Sequence, residues 1–326
     1  MNGKVVVAVP TFRRVVWAGD LATALVQEVG ERQGCAVVLL DNDPDASADV
    51  LRDHPAVRSG GVRLHHVGQG DVVSVRNAAV DQALLDGARF LVLLDDDEFP
   101  QGGWLDALLV AQQRWDAHVV TGPVRQDPAI LHRPDVRAML SRAERPAGPF
   151  TGDVGGGNVL VDLDLVVRAG VRFDPRLGRS GGEDTLFFRQ LALAGARSVW
   201  APDALVVERP VPERVTTGAL LRRSYRNGRS SVAVDRALGE PPGRARRAAV
   251  LLGAAAAYLP TAAREAARGE REEAWRRVFK VVRHAGRLRG PGGPGTYGGS
   301  NRPRHGGLVH LGSTRSGGQP DAGEVG

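Results

Sequence analysis

Residues 89–98 read Arg-Phe-Leu-Val-Leu-Leu-Asp-Asp-Asp-Glu: five apolar side chains in a row, closed by four carboxylates. So short and unbroken an apolar run fits a strand buried on both faces, as in a parallel sheet covered by helices. Similar Val- and Leu-rich runs lie upstream at Val5–Val9, Ala36–Leu40 and Arg63–Val67, and downstream at His118–Val124. Amphipathic stretches fall between them, at about Gly19–Gln33, Val72–Asp86 and Trp104–Trp115. Strands alternating with helices predict an α/β fold, with a mostly parallel central sheet and helices on both faces. Ligands on such sheets bind beyond the carboxyl ends of the strands. Three of those ends are Pro10-Thr11, Asp41-Asn42-Asp43 and Asp95-Asp96-Asp97.

The acidic run is the first chemical candidate. Four adjacent carboxylates repel one another, and a divalent cation relieves that repulsion. Hard oxygen donors suit Mg²⁺ or Mn²⁺, which sit on one or two carboxylates plus substrate phosphates. The alternative is a helix N-terminus, where acids meet free N–H groups and the dipole, but one or two acids suffice for that.

Further along, Gly155-Gly156-Gly157-Asn158 precedes the apolar run Val159–Val161. Gly181-Gly182-Glu183-Asp184 leads into a helix over Thr185–Ala194. Glu183 and Asp184 can cap that helix, or a glycine-flanked turn can bring one of them to an acceptor hydroxyl as a base. Arg76 can pair with phosphate or with the acidic run, or lie on the surface. Asp41 and Asp43 can accept hydrogen bonds from a nucleotide, though Asp-Asn-Asp-Pro-Asp is also turn chemistry. His65 and His66 alternate across a strand and cannot share an ion. No GxGxxG loop, phosphate loop or G-x-S-x-G elbow is present, which argues against a dinucleotide-dependent dehydrogenase, a P-loop NTPase and a serine hydrolase.

These pieces together resemble the family 2 inverting glycosyltransferases of the GT-A fold, bacterial polysaccharide (succinoglycan) type, over roughly residues 4–230. The resemblance rests on Val-Pro-Thr-Phe-Arg-Arg (9–14), Leu-Leu-Asp-Asn-Asp (39–43), Val-Arg-Asn-Ala-Ala (75–79), Leu-Leu-Asp-Asp-Asp-Glu-Phe-Pro (93–100) and Gly-Gly-Glu-Asp-Thr-Leu-Phe-Phe-Arg (181–189), in that order. It implies a hexosyltransferase that moves a sugar from a UDP-, dTDP- or GDP-sugar to a glycan, lipid-linked or small-molecule acceptor, with inversion. Asp95 and Asp97 would hold the Mn²⁺ or Mg²⁺ ion. Pro10, Thr11, Arg13, Asp41, Asp43, Arg76, Asp95 and Asp96 would line the nucleotide site. Asp184, with Glu183 beside it, would supply the catalytic base. One position departs from the family. Where many relatives carry a histidine that completes the metal shell, this chain has Arg209, which cannot ligate a metal but can pair with phosphate. A non-catalytic nucleotide-sugar-binding protein and a nucleotidyltransferase are the alternatives. The second would need a glycine-rich, lysine-bearing loop after the first strand, and Pro10–Arg14 contains neither residue.

Charge divides the chain. Residues 211–326 hold 21 Lys and Arg against 9 Asp and Glu, so the overall net charge of +6 conceals a net of +12 there and −6 before it. A basic helical segment is expected over Pro212–Arg229 and an apolar helix over Ala248–Leu259, flanked by arginines. That helix is too short to span a bilayer; it would lie on an anionic membrane surface or pack on the domain. The basic residues lack the interleaved aromatics of a nucleic-acid tail. The expected organisation is a GT-A domain over 1–230, a basic helical extension over 231–289 and a disordered Gly/Pro-rich tail over 290–326. With a single cysteine, Cys35, no internal disulfide can form, which suits a cytoplasmic protein, peripheral on the inner face of the plasma membrane.

Overall fold

The computed structural model describes residues 3–30, 32–141, 143–178, 180–209, 211–239 and 243–291, so the tail expected from residue 290 lies, beyond 291, outside the described residues. The chain opens with β1 (Val5–Thr11), α1 (Val15–Val29), β2 (Cys35–Asp41), α2 (Pro55–Arg58), β3 (Arg63–His66), α3 (Val72–Leu85) and β4 (Phe90–Leu93). It continues through β5 (Glu98–Pro100), α4 (Trp104–Trp115), β6 (Val119–Thr121), β7 (Val124–Gln126), α5 (Pro134–Leu140) and β8 (Gly148–Pro149). Then come β9 (Val159–Asp162), α6 (Leu163–Ala169), α7 (Glu183–Leu193), β10 (Ser198–Trp200) and β11 (Val206–Glu208). Three long helices follow: α8 (Thr217–Ala237), α9 (Arg244–Ala267) and α10 (Arg271–Arg289).

Eight strands form the main sheet in the order β3-β2-β1-β4-β9-β6-β10-β8. It is parallel except for β9, which pairs antiparallel with both β4 and β6, and the edge strand β8. Alternate side chains on a strand face opposite ways, and the core divides accordingly. Val5, Val7, Val9, Leu39 and Val92 pack with Leu21 and Leu25 of α1 and Trp104 and Leu108 of α4. Val6, Ala8, Leu40, Leu91 and Leu93 pack with Val73 and Val80 of α3, Leu163 of α6 and Phe187 of α7. A strand covered on both faces must be apolar at every position, as 90–94 is. This is the GT-A architecture expected from the sequence.

Two expected strands are broken. The run His118–Val124 becomes β6 and β7, parted at Gly122-Pro123. A Cβ on Gly122 would lie 2.2 Å from the carbonyl oxygen of Ala204, so the two chain segments touch backbone to backbone there. The run Val199–Val207, whose Pro202 marks an interruption in the sequence, divides in the same way into β10 and β11. The halves go to different sheets: β5, β11 and β7 form a small second sheet, with β11 parallel to β7 and antiparallel to β5.

The basic segment expected from Pro212 starts its helix at Thr217, because Thr216 caps it by accepting from the Ala219 N–H. α8 runs on to Ala237, so the expected division at residue 230 falls inside a helix. α9 extends past both ends of the expected Ala248–Leu259, through Pro260 to Ala267. α10 packs against α8, α9 and α5. No helix among the described residues is long and apolar enough to cross a membrane.

Candidate functional site

The parallel register brings three strand ends into line. Thr11 pairs with Asp41, and Asp41 with His66, while β4 ends at Leu93 opposite Ala8, three residues short of Thr11. Asp95–Glu98 therefore follows β4 at the same end of the sheet as the turns after β1 and β2.

The four carboxylates separate at once. Glu98 turns inward, accepts from the Asp95 N–H at 3.2 Å, and lies against Gly157, where any Cβ would meet its carboxylate at 2.5 Å. Burial holds its carboxyl well above the usual range. Asp96 accepts from Thr11 Oγ1 at 2.9 Å and from Arg14 Nη1 at 2.5 Å. Burial raises it to about 6 against the pull of Arg14. Asp97 accepts from the same Arg14 Nη1 at 2.9 Å, with Arg214 Nη1 3.7 Å away. Asp95 has the freest side chain of the four acids from 95 to 98, 45% exposed, and its nearest cation is Arg76 at 3.6 Å. The repulsion that suggested a cation is thus already answered in part by Arg14, Arg76 and Arg214.

Asp95 and Asp97 are the two acids that the family resemblance assigns to a metal. Among the described residues no three His, Cys, Asp or Glu side chains converge on one point. Two carboxylates with the rest of the shell from substrate phosphates and water is the arrangement Mg²⁺ favours, so this donor set fits an ion whose shell the substrate completes.

Arg76 joins the acidic turn to the Glu-Asp segment. It is buried on α3, donates to Glu183 Oε1 at 2.7 Å, and carries its guanidinium 5.8 Å from the Phe173 ring centre. Gly156 makes room for it: a Cβ there would fall 2.2 Å from the guanidinium carbon. Glu183 is raised to about 7, burial outweighing Arg76. Asp184 is held by both oxygens, accepting from the Gly156 N–H at 3.1 Å and the Thr185 N–H at 2.6 Å. The triple-glycine block and the glycine pair thus meet at this point, as the turn preceding α7 requires.

The nucleotide-side residues stand as follows. Asp41 is buried, and its two oxygens accept from the backbone N–H groups of Asp43 and Ala48, fixing the loop after β2. Asp43 accepts two hydrogen bonds from Arg13, whose guanidinium holds its carboxyl below the usual range. Arg13 itself sits at φ +57, a left-handed conformation that costs a non-glycine residue about 1–2 kcal/mol. Thr11 belongs to the acidic turn through Asp96, and Pro10 lies in β1 behind it. Arg209 is not brought to the acids by its side chain. Its backbone N–H donates to the Asp97 carbonyl at 2.8 Å, but its guanidinium donates to Asp20 of α1 at 3.0 Å and stacks 3.6 Å from the Phe99 ring centre. Arg14 and Arg214 are the site residues that sequence reasoning passed over. Arg14 stood beside Arg13 in the same turn, and nothing in the sequence says which of the two reaches inward.

Residues 6–161 match the model of the family described as Glycosyl transferase family 2. The chain is 32% identical over 301 residues to the succinoglycan biosynthesis protein ExoM of Rhizobium meliloti (strain 1021), covering 87% of this chain and 91% of that protein. The mannosyltransferase PcManGT of Pyrobaculum calidifontis, solved with GDP-Man and Mn²⁺, superposes with a TM-score of 0.58 at 19% identity over 88% of each chain. S. aureus TarS 1-349, solved with UDP-GlcNAc, gives 0.51 at 15% identity, and the alignment covers 69% of this chain and 66% of that one. The family excludes the nucleotidyltransferase alternative. The chain belongs to glycosyl transferase family 2 and is a glycosyltransferase of the hexosyl-transferring kind, built on the GT-A fold.

Proposed function

We propose that the chain transfers a hexosyl group from a nucleoside-diphosphate sugar to an acceptor hydroxyl, with inversion in a single displacement. The observation that carries this reading is Arg76, which spans from Glu183 at 2.7 Å to Asp95 at 3.6 Å and so holds a metal-type pair and a base-type pair on one cleft. The donor's diphosphate lies over Asp95 and Asp97, with the nucleoside toward the loop fixed by Asp41, Asp43 and Arg13. Asp95 and Asp97 would hold a Mn²⁺ or Mg²⁺ ion, which would supply positive charge against that developing on the leaving diphosphate. Arg14 and Arg214, already beside Asp97, are placed to add their own positive charge there. Asp184, oriented by Gly156 and Thr185, accepts the proton of the attacking hydroxyl. Attack from the side opposite the diphosphate inverts the anomeric carbon.

Support for the donor class comes from the fold neighbours solved with UDP-GlcNAc and GDP-Man. Support for a polysaccharide pathway comes from the ExoM relative. On this reading the acceptor is a growing glycan or a lipid-linked sugar, and the enzyme works at the inner face of the plasma membrane. Incubation with a panel of UDP-, dTDP- and GDP-sugars, with Mn²⁺ and simple glycoside acceptors, tests it through the anomeric configuration of the product. An inverted linkage is expected; a retained one would refute the single displacement.

A further inference from the structure

α9 and α10 fold back on each other through the turn at Gly269, and a cleft of about 350 Å³ opens between them. It is lined by Tyr258 of α9 and by Lys280, Arg283, His284 and Arg287 of α10. The spacing i, i+3, i+4, i+7 puts those four on one face of the helix, where like charges oppose each other. No lining residue is acidic. Asp235 of α8 accepts from Arg287 Nη2 at 3.0 Å but is also 3.5 Å from Arg189, and Arg287 Nη1 donates to Ser231 Oγ at 2.6 Å. Lys280 and Arg283 are exposed and have no carboxylate partner among the described residues. The Lys280 ammonium stands 5.5 Å from the Tyr258 ring centre, which holds it at the cleft wall. His284 Nδ1 is buried without a hydrogen-bond partner. Burial, then Arg287 and Arg283, lower the His284 pKa, which favours the neutral ring.

We infer that this cleft is a binding site for a phosphate group, either the head of an anionic lipid or a soluble phosphate. A tetrahedral phosphate offers several acceptor oxygens and nearly two negative charges. It meets a guanidinium, an ammonium and an imidazole at once, and it removes the repulsion within the Lys280–Arg287 face. The same helix pair exposes Val250, Leu252 and Leu259 on α9, apolar groups that a lipid would cover and a soluble phosphate would leave wet. The inference does not depend on the chemistry at Asp95 and holds whether or not the chain transfers sugar.

The test uses the full chain, without nucleotide or divalent cation, in two arms. Calorimetric titration with inorganic phosphate measures the soluble source. Flotation with phosphatidylcholine vesicles, with and without phosphatidylglycerol, measures the lipid source. The variant carrying Lys280→Gln and Arg283→Gln keeps both stems, and Arg244→Gln with Arg246→Gln serves as a control of equal charge outside the cleft. Binding in at least one arm, about tenfold weaker in the cleft variant and unchanged in the control, is expected. Binding in the phosphate arm alone assigns a soluble anion; binding to phosphatidylglycerol vesicles alone assigns a lipid head. Absence of binding in both arms overturns the proposal, as does equal weakening by the two variants. Circular dichroism confirms that each variant is folded, and Arg283→Gln alone, weakened in part, repeats the comparison if the double variant is not.

Discussion

Arg14 holds the position on which the acidic turn depends. One of its nitrogens serves both Asp96 and Asp97, and removal of one partner leaves the other charge buried and unpaired. Arg14→Ala should therefore destabilise the cation-free protein by about 1–3 kcal/mol in urea unfolding at pH 8, since Arg14 is itself partly exposed, and added Mn²⁺ should recover part of the loss. Equal stability of variant and parent would show that Arg14 does not neutralise these acids. Asp96 at about 6 and Glu183 at about 7 both lie above the ordinary carboxylate range. A carboxyl with a raised folded pKa favours folding when protonated, so this contribution is complete below about pH 4 and is lost as pH rises through 6 and 7. Metal-free protein should then gain stability between pH 8 and about 6, and Asp96→Asn and Glu183→Gln should each flatten that slope; identical pH profiles would contradict the assignment. The acids and Arg76 were legible because chain neighbours named them: a buried strand before Asp95, a glycine pair before Glu183. The direction of Arg14 and Arg209 was not, because it depends on Asp20, Phe99 and Asp97, which are remote in sequence.

At the scale of elements, glycine decides the C-terminal helices. A Cβ on Gly228 of α8 would stand 1.9 Å from the Arg283 carbonyl, and one on Gly286 of α10 would stand 2.0 Å from the Tyr225 carbonyl. Both obstacles are backbone, so neither can yield by a rotamer change. Gly228→Val or Gly286→Val should part α8 from α10 and cost about 1–3 kcal/mol or more, read as a lower melting temperature than that of Gly253→Ala, whose site is open. Unchanged melting would mean that the helices do not cross there. Composition alone hid this pair: α10 is too rich in arginine to look like a packed helix, yet Ala274 and Phe279 are buried on its inner side. The apolar run ends at Leu259, yet the helix continues through Pro260, a residue that costs a helix interior a hydrogen bond. The helix runs on because Ala262 and Glu265 are buried beyond it and Glu265 pairs with Arg277 at 3.1 Å. The apolar strands of the main sheet, by contrast, were readable, while the break at Gly122-Pro123 and the short strand β5 needed the second sheet to explain them.

Over the whole molecule, an acidic α/β body carries the cleft and a basic three-helix unit carries the phosphate-type site. α8 belongs to both: Ser230 Oγ donates to the Ser180 carbonyl at 2.6 Å, next to the glycine pair before Glu183, while Ser231 and Asp235 reach Arg287. The order of the motifs along the chain made the fold class and the family readable. Several of the pairings were not readable, since they join residues remote in sequence: Arg14 and Asp96 are 82 positions apart, Arg76 and Glu183 107, and Arg209 and Asp20 189. On the proposed reading the acids of the turn after β4 serve the donor diphosphate, and the Asp184 carboxylate serves the acceptor hydroxyl that attacks it. Release of nucleoside diphosphate from the preferred nucleotide sugar, measured with acceptor and Mn²⁺ for the parent, Asp97→Ala and Asp184→Asn, tests it most directly. A fall in kcat of about 10²–10⁴-fold is expected for Asp184→Asn with donor binding retained, and loss of metal-dependent donor binding for Asp97→Ala. Turnover by Asp184→Asn at the parent's rate would contradict it.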